Sequence, residues 1–220
     1  MTAAFLVVAL LALLLLRVPI AISLGLSAVL TMLLFAEQSL VALAQRFFSA
    51  LQVYPLLAIP FFILAGALMT TGGVAKRMIA FANALVGHFR GGLAMAALLA
   101  CALFAAVSGS SPATVVAVGS IMIAGMARSG YTREFAAGLI CNAGTLGILI
   151  PPSIVMVVYG AVTETSIGDL FLAGIVPGLM LTGMLMIAVA FRARRLDLPR
   201  QPRADWRTVL TTGREAIWGL

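Results

Sequence analysis

Ser108-Gly109-Ser110-Ser111-Pro112-Ala113-Thr114 separates two apolar runs, 93–107 and 115–127. A bilayer crossing needs about 20 apolar residues, and each run falls short of that. Together they read as a helical hairpin that enters and returns, with its tip near mid-membrane. Hydroxyls, glycine and proline at the tip argue against regular helix there. Irregular backbone at membrane depth persists only where it is buried in protein or lines a wet cavity. A polar broken loop in that setting is a candidate binding site. The plainer alternative is a loop between two core helices of a water-soluble domain.

Composition decides against the plainer alternative. Of 220 residues, 63% are hydrophobic and 10% charged, and mean hydropathy is +1.16. Soluble domains run at about 45–50% apolar and about 25% charged. The expected class is an all-α polytopic membrane protein whose surroundings are the lipid bilayer. A net charge of +7 would suit a nucleic-acid partner. The arginines cluster instead at the ends of apolar runs, where they act as topology signals, so no nucleic acid is expected. Cys101 and Cys141 lie in apolar sequence and read as packing thiols.

The run 2–16 lacks the basic start and small-residue cleavage site of a signal peptide, so it is expected to be mature structure. Arg17 and Val18-Pro19 divide it from a second run, 20–36. Two readings stand: two helices joined by a tight turn, or one long kinked helix. Residues 37–54 carry Glu37, Gln38, Gln45, Arg46 and Gln52 between Leu40, Leu43, Phe47 and Leu51. That pattern suits a helix at the membrane surface. Pro55 and Pro60 open a membrane segment reaching Thr71, with Gly66 marking close helix packing and Gly72-Gly73 ending it. Residues 74–90 read as a second amphipathic helix, with His88 as a solvated interfacial residue near its end. Arg128-Ser129-Gly130 closes the hairpin.

The second informative stretch is 131–160. Asn142-Ala143-Gly144-Thr145-Leu146-Gly147 and Pro151-Pro152-Ser153 interrupt otherwise apolar sequence. Two glycines and a proline pair argue for one crossing helix broken in the middle. Its alternative is a simple proline kink. Residues 163–169 are polar and acidic. Residues 170–191 cross again, with Pro177-Gly178 as a possible kink, and Arg192, Arg194 and Arg195 stop the crossing. Residues 198–213 read as a polar connector, and 215–220 as the first turn of a further helix.

Charge sidedness supports this order. With Arg17 in the cytoplasm, residues 74–90, both hairpin ends and 192 onward lie inside, while Glu164 and Asp169 lie outside. Of the fourteen basic residues only Arg46 falls outside, in keeping with the positive-inside rule. The hairpin then enters from the cytoplasm.

These paired elements resemble the large permease subunit, DctM type, of TRAP transporters. The resemblance rests on the hairpin tip with Gly119-Ser120-Ile121-Met122, and on the stretch from Gly144 to Ser153. It rests also on Val18-Pro19-Ile20-Ala21 and on the stretch from Ala58 to Gly66. It covers essentially the whole chain, but only the first of the family's two inverted repeats. It implies a sodium-coupled secondary transporter of the bacterial inner membrane that imports organic acids such as C4-dicarboxylates or sugar acids. It implies an elevator-type ion transporter fold with a re-entrant hairpin and a discontinuous helix. The implied partners are a small DctQ-type membrane subunit, a periplasmic DctP-type substrate-binding protein, and a C-terminal repeat of the same permease. On this resemblance 1–72 would be scaffold helices with an interfacial helix and 73–90 an arm. The transport part would be 91–163, with hairpin 91–128 and broken helix 131–163. A scaffold helix, 164–195, and a cytoplasmic connector, 196–220, would follow. A chain with a single hairpin and a single broken helix is expected not to transport by itself.

The side chains suit that chemistry. Sodium, like other hard cations, prefers oxygen ligands. Candidate sodium ligands are the hydroxyls of Ser108, Ser110, Thr114 and Thr145, the Asn142 amide, and backbone carbonyls at Gly109, Gly144 and Gly147. Ser111, Pro151, Pro152 and Ser153 are candidates for the substrate, because helices starting there direct partial positive charge at a carboxylate. No other cofactor is expected. Other classes fit less well. An enzyme would need a nucleophile with a base, or paired carboxylates, in the core; His88 and all seven acids fall outside it. A structural subunit would not need two polar breaks. An ion-coupled anion carrier working without a binding protein is the remaining alternative.

Overall fold

The computed structural model describes residues 2–35, 40–52, 54–195 and 202–218, and among these every regular element is helical. The chain forms two compact units, Met1–Val53 and Tyr54–Leu220.

In the first unit, α1 (Thr2–Leu15) and α2 (Ile20–Phe35) fold back on each other. Phe5 and Phe35, at opposite sequence ends of the pair, meet with ring centroids 5.1 Å apart. The turn places Arg17 at φ 61° and closes with Val18 N–H donating to the Leu13 carbonyl at 3.1 Å. The two-helix reading therefore holds and the single kinked helix does not. Ser23, Ser27 and Thr31 are buried at four-residue spacing on α2, where small side chains allow close approach. Each turns its hydroxyl to a backbone carbonyl. α3 (Leu40–Leu51) is helical, as the spacing predicts; Glu37 and Gln38 lie outside the described residues.

The second unit is built around α6 (Gly92–Ser108). It touches α4 (Ala58–Thr71), α5 (Val74–Val86), α7 (Ser111–Arg128), α8 (Arg133–Gly144), α9 (Leu146–Leu149) and α11 (Ile167–Arg195). α10 (Ile154–Thr163) and α12 (Trp206–Trp218) complete the unit. Ala94, Ala96, Ala97, Ala100 and Ala105 bury α6 on several sides, with Leu98 and Phe104 fully enclosed. Small residues on a helix apolar all round let neighbours approach from every direction.

Several expectations change. α7 begins at Ser111 with proline in its first turn and Ser110 as N-cap, a favourable start. It thus has 18 residues and is long and apolar enough to cross a membrane; its length alone does not halt the tip at mid-membrane. α5 ends at Val86, four residues before the expected end, because Gly87 and the left-handed Gly91 (φ 70°) turn the chain into α6. His88 sits in that turn, half-buried rather than solvated, with its Nδ1 buried and unpartnered among the described residues. Finally, 206–218 is a full helix, not a connector with a first helical turn. Asp205 starts it, its Oδ1 accepting the Trp206 N–H at 2.8 Å, and α12 lies along α5. Pro177 does not interrupt α11, which runs 29 residues. Cys141 is exposed, whereas Cys101 is a buried packing thiol.

Candidate functional site

The hairpin tip and the helix break lie against each other. Gly109, left-handed at φ 60°, ends α6, and its carbonyl accepts the Ile154 N–H at 3.0 Å across the break. A side chain at Gly109 would stand 2.7 Å from the Pro152 carbonyl oxygen, and one at Gly147 would stand 2.8 Å from the Ser111 nitrogen. Gly144 faces the Val115 side chain, more closely still. Glycine is required at Gly109 and Gly147 because backbone meets backbone.

The break itself follows from Gly144 to Ser153. α8 and α9 end at Ile150, which is extended (ψ 122°) ahead of the prolines. The Pro151–Pro152 bond is cis, and α10 restarts after Ser153, bent 41° from the preceding helix. The simple kink does not describe this geometry. α10 thus begins beside the beginning of α7, so two helix N-termini meet at the junction. Helix starts favour anionic groups.

Four hydroxyls concentrate there. Ser108, Thr114 and Ser153 are fully buried. Ser108 Oγ lies 3.3 Å from Thr114 Oγ1, and Thr114 donates to the Ser110 carbonyl at 2.9 Å. Ser110 Oγ accepts the Ala113 N–H at 3.4 Å, leaving it half-buried at the helix start. Ser153 Oγ is buried with no hydrogen-bond partner among the described residues; it sits between the two residues that touch Gly109. Buried hydroxyls ordinarily find partners, which sets this one apart from its neighbours.

Not every candidate joins them. Gly109, Gly144 and Gly147 are at the junction, Ser111, Pro151 and Pro152 half-buried around it. Asn142 and Thr145 are exposed, with Asn142 Nδ2 donating to the Gly138 carbonyl at 2.8 Å and Thr145 Oγ1 to the Asn142 carbonyl at 2.7 Å. Asn142 lines a groove with Leu185 and Arg192 of α11, away from the tip hydroxyls. Sequence reasoning marked Gly66 for close packing and Gly178 for a kink and passed over Gly174, but tied none of these glycines to the site. Gly66 on α4 lies against Ala113 and Ser108, a side chain there standing 3.4 Å from Ala113 Cβ. Gly174 and Gly178 on α11 admit the Leu149 carbonyl and Ile150. The four-residue glycine spacing flanking Pro177 carried the signal.

Comparison with known proteins agrees with this architecture. Residues 7–220 match the family "Tripartite ATP-independent periplasmic transporter, DctM component". A C4-dicarboxylate TRAP transporter large permease protein of Pseudomonas aeruginosa is 65% identical over 90% of this chain and 46% of its own. Counterparts with the same description from Vibrio cholerae and Rhodobacter capsulatus are 59% and 49% identical, over 100% and 96% of this chain and 49% and 51% of theirs. The chain spans about half the length of these curated relatives. It belongs to the DctM component family of tripartite ATP-independent periplasmic transporters, and is accordingly a multi-pass membrane component of a transporter rather than an enzyme.

Proposed function

We propose that this chain is the part of a large permease that carries one hairpin and one broken helix of a sodium-coupled importer of C4-dicarboxylates in the bacterial inner membrane. The junction described above would form one side of the substrate and ion site, and a C-terminal repeat would supply the other. A small DctQ-type subunit and a periplasmic DctP-type binding protein would complete the system, and the transport part would slide as an elevator against a scaffold. The substrate class follows the descriptions of the relatives.

The observation that carries the reading is the Gly109–Ile154 hydrogen bond, which joins tip and break beside the Ser153 hydroxyl, unpartnered among the described residues. The donor set fits sodium. Ser108, Ser110, Thr114 and Ser153 offer neutral oxygens without a carboxylate, suited to a weakly held monovalent cation. Asn142 and Thr145 would take part only with their side chains turned from their present helix carbonyls.

The test is dicarboxylate uptake by the complete transporter against sodium concentration. Ser110→Ala removes one oxygen at the tip and should raise the half-saturating sodium level several-fold, where about 1.4 kcal/mol is tenfold. Ser120→Ala, whose exposed hydroxyl bonds only the Ala117 carbonyl in its own helix, should leave it unchanged. Identical sodium dependence in both variants and the parent would place the ion elsewhere.

A further inference from the structure

The pair α5–α12 forms a groove that the transport reading leaves unused. One end is polar, lined by His88, Arg203 and Asp205. The other is apolar, lined by Phe81, Leu210, Gly213 and Ile217. Leu85, Trp206 and Val209 line both, so the two ends are one continuous trough. We infer that this trough binds an anionic phospholipid, its phosphate at Arg203 and His88 and an acyl chain along Phe81 and Leu210.

Three observations carry the inference. First, His88 lines the polar end, and its Nδ1, turned inward, is buried with no hydrogen-bond partner among the described residues; with the ring turned toward the trough, a protonated nitrogen would donate to a headgroup oxygen. Second, charge is complementary to an anion. Arg203, Arg207 and Arg214 belong to the α12 segment, and Lys76, Arg77 and Arg90 to α5 and the turn after it; all are exposed. The opposing acids are Asp205, whose Oδ1 is held by the Trp206 N–H, and Glu215, which does not line the trough. Third, α12 leaves an apolar stripe uncovered: Trp206 is 70%, Leu210 56% and Ile217 71% exposed. Arg207 and Arg214 follow Trp206 and Leu210 around the helix and border that stripe. A large apolar stripe edged by arginine, with tryptophan at the boundary, is the make-up of a helix lying in the headgroup region. A free phosphate would use only the polar end and leave the apolar length unexplained.

The chain's two tryptophans, Trp206 and Trp218, are both on α12, so its fluorescence reports on this helix alone. In a Trp218→Phe background, the full chain is reconstituted in phosphatidylcholine vesicles containing a minor fraction of brominated lipid. Brominated phosphatidylglycerol should quench Trp206 several-fold more per mole than brominated phosphatidylcholine with the same chains. Arg203→Gln should reduce that preference about fivefold, the roughly 1 kcal/mol of one basic side chain beside anionic lipid. Lys76→Gln, equal in charge but outside the trough, should change it little. Inorganic phosphate in the bulk should not relieve the quenching. Equal quenching by the two lipids, equal losses in the Arg203 and Lys76 variants, or relief by phosphate would each overturn the assignment. None of these readouts depends on transport.

Discussion

The tip–break junction and the α5–α12 trough both place polar groups in apolar surroundings, by opposite means. At the junction the polar groups are neutral and buried, and glycine brings backbone against backbone. A side chain at Gly109 would stand 2.7 Å from a carbonyl oxygen, which has no rotamer by which to retreat. Along the trough the polar groups are charged and exposed, and Gly213 faces the Phe81 ring, 3.1 Å from where a side chain would stand. A ring can tilt aside. The junction therefore has little tolerance and the trough has slack, as expected when one region must hold a fixed geometry and the other an adaptable amphiphile.

The sharpest way to break this contrast is Gly109→Ala. The substitution meets two penalties, a left-handed backbone at φ 60° and a clash with the Pro152 carbonyl. Strain of this kind costs about 1–3 kcal/mol, and overpacking about as much again. We expect a loss of roughly 2–6 kcal/mol on that basis, read as a large drop in the thermal midpoint of the detergent-solubilised protein. An unchanged midpoint would mean that tip and break are not held together.

The breaks themselves were legible because serine, glycine and paired proline are costly inside apolar runs, so Ser108–Thr114 and Gly144–Ser153 stood out one by one. Their mutual contact was not legible. Gly109 and Ile154 are 45 positions apart, and nothing local in either stretch specifies the other; only the length relations of α6 to α10 bring them together. Asn142 shows the same limit in reverse: its residue type suited a cation, but its helix phase points it toward α11. α12 was missed for another reason. Threonine and glycine are poor helix formers, and Pro202 upstream drew attention to a linker. Asp205 as a start signal, followed by Trp206, Val209, Leu210, Gly213 and Ile217 at helical spacing, carried the information. That helix depends on α5 for a face to lie on.

A gentler probe is Gly213→Ala. Alanine within a helix gains about 1 kcal/mol over glycine, and the displaced Phe81 ring takes back part of it. The expected net change is within about 0.5 kcal/mol of zero or slightly stabilising, measured by the same thermal midpoint. A loss as large as that of Gly109→Ala would show the trough to be as rigid as the junction, and the contrast would fail.

The smallest expected change in stability sharpens the contrast most, because it separates a structural hydroxyl from one kept for a ligand. Ser153 Oγ is fully buried and has no partner among the described residues, which have stripped it of water without a hydrogen bond in return. Removing such a group does not expose an orphaned partner, and the desolvation penalty goes with it. Ser153→Ala should therefore leave the thermal midpoint unchanged or slightly raised. Ser108→Ala is the comparison: its oxygen lies near both Thr114 Oγ1 and the Ser110 N–H, and its loss should lower stability by about 1 kcal/mol. Ligand dependence gives the second readout. If Ser153 supplies an oxygen to the transported ion or acid, its alanine variant in the complete transporter should fold like the parent yet need several-fold more sodium or substrate for half-maximal uptake. A variant that is neutral in both measurements would make Ser153 a bystander at the junction. One that is destabilised would reveal a structural partner, and the ligand role would pass to the remaining tip hydroxyls.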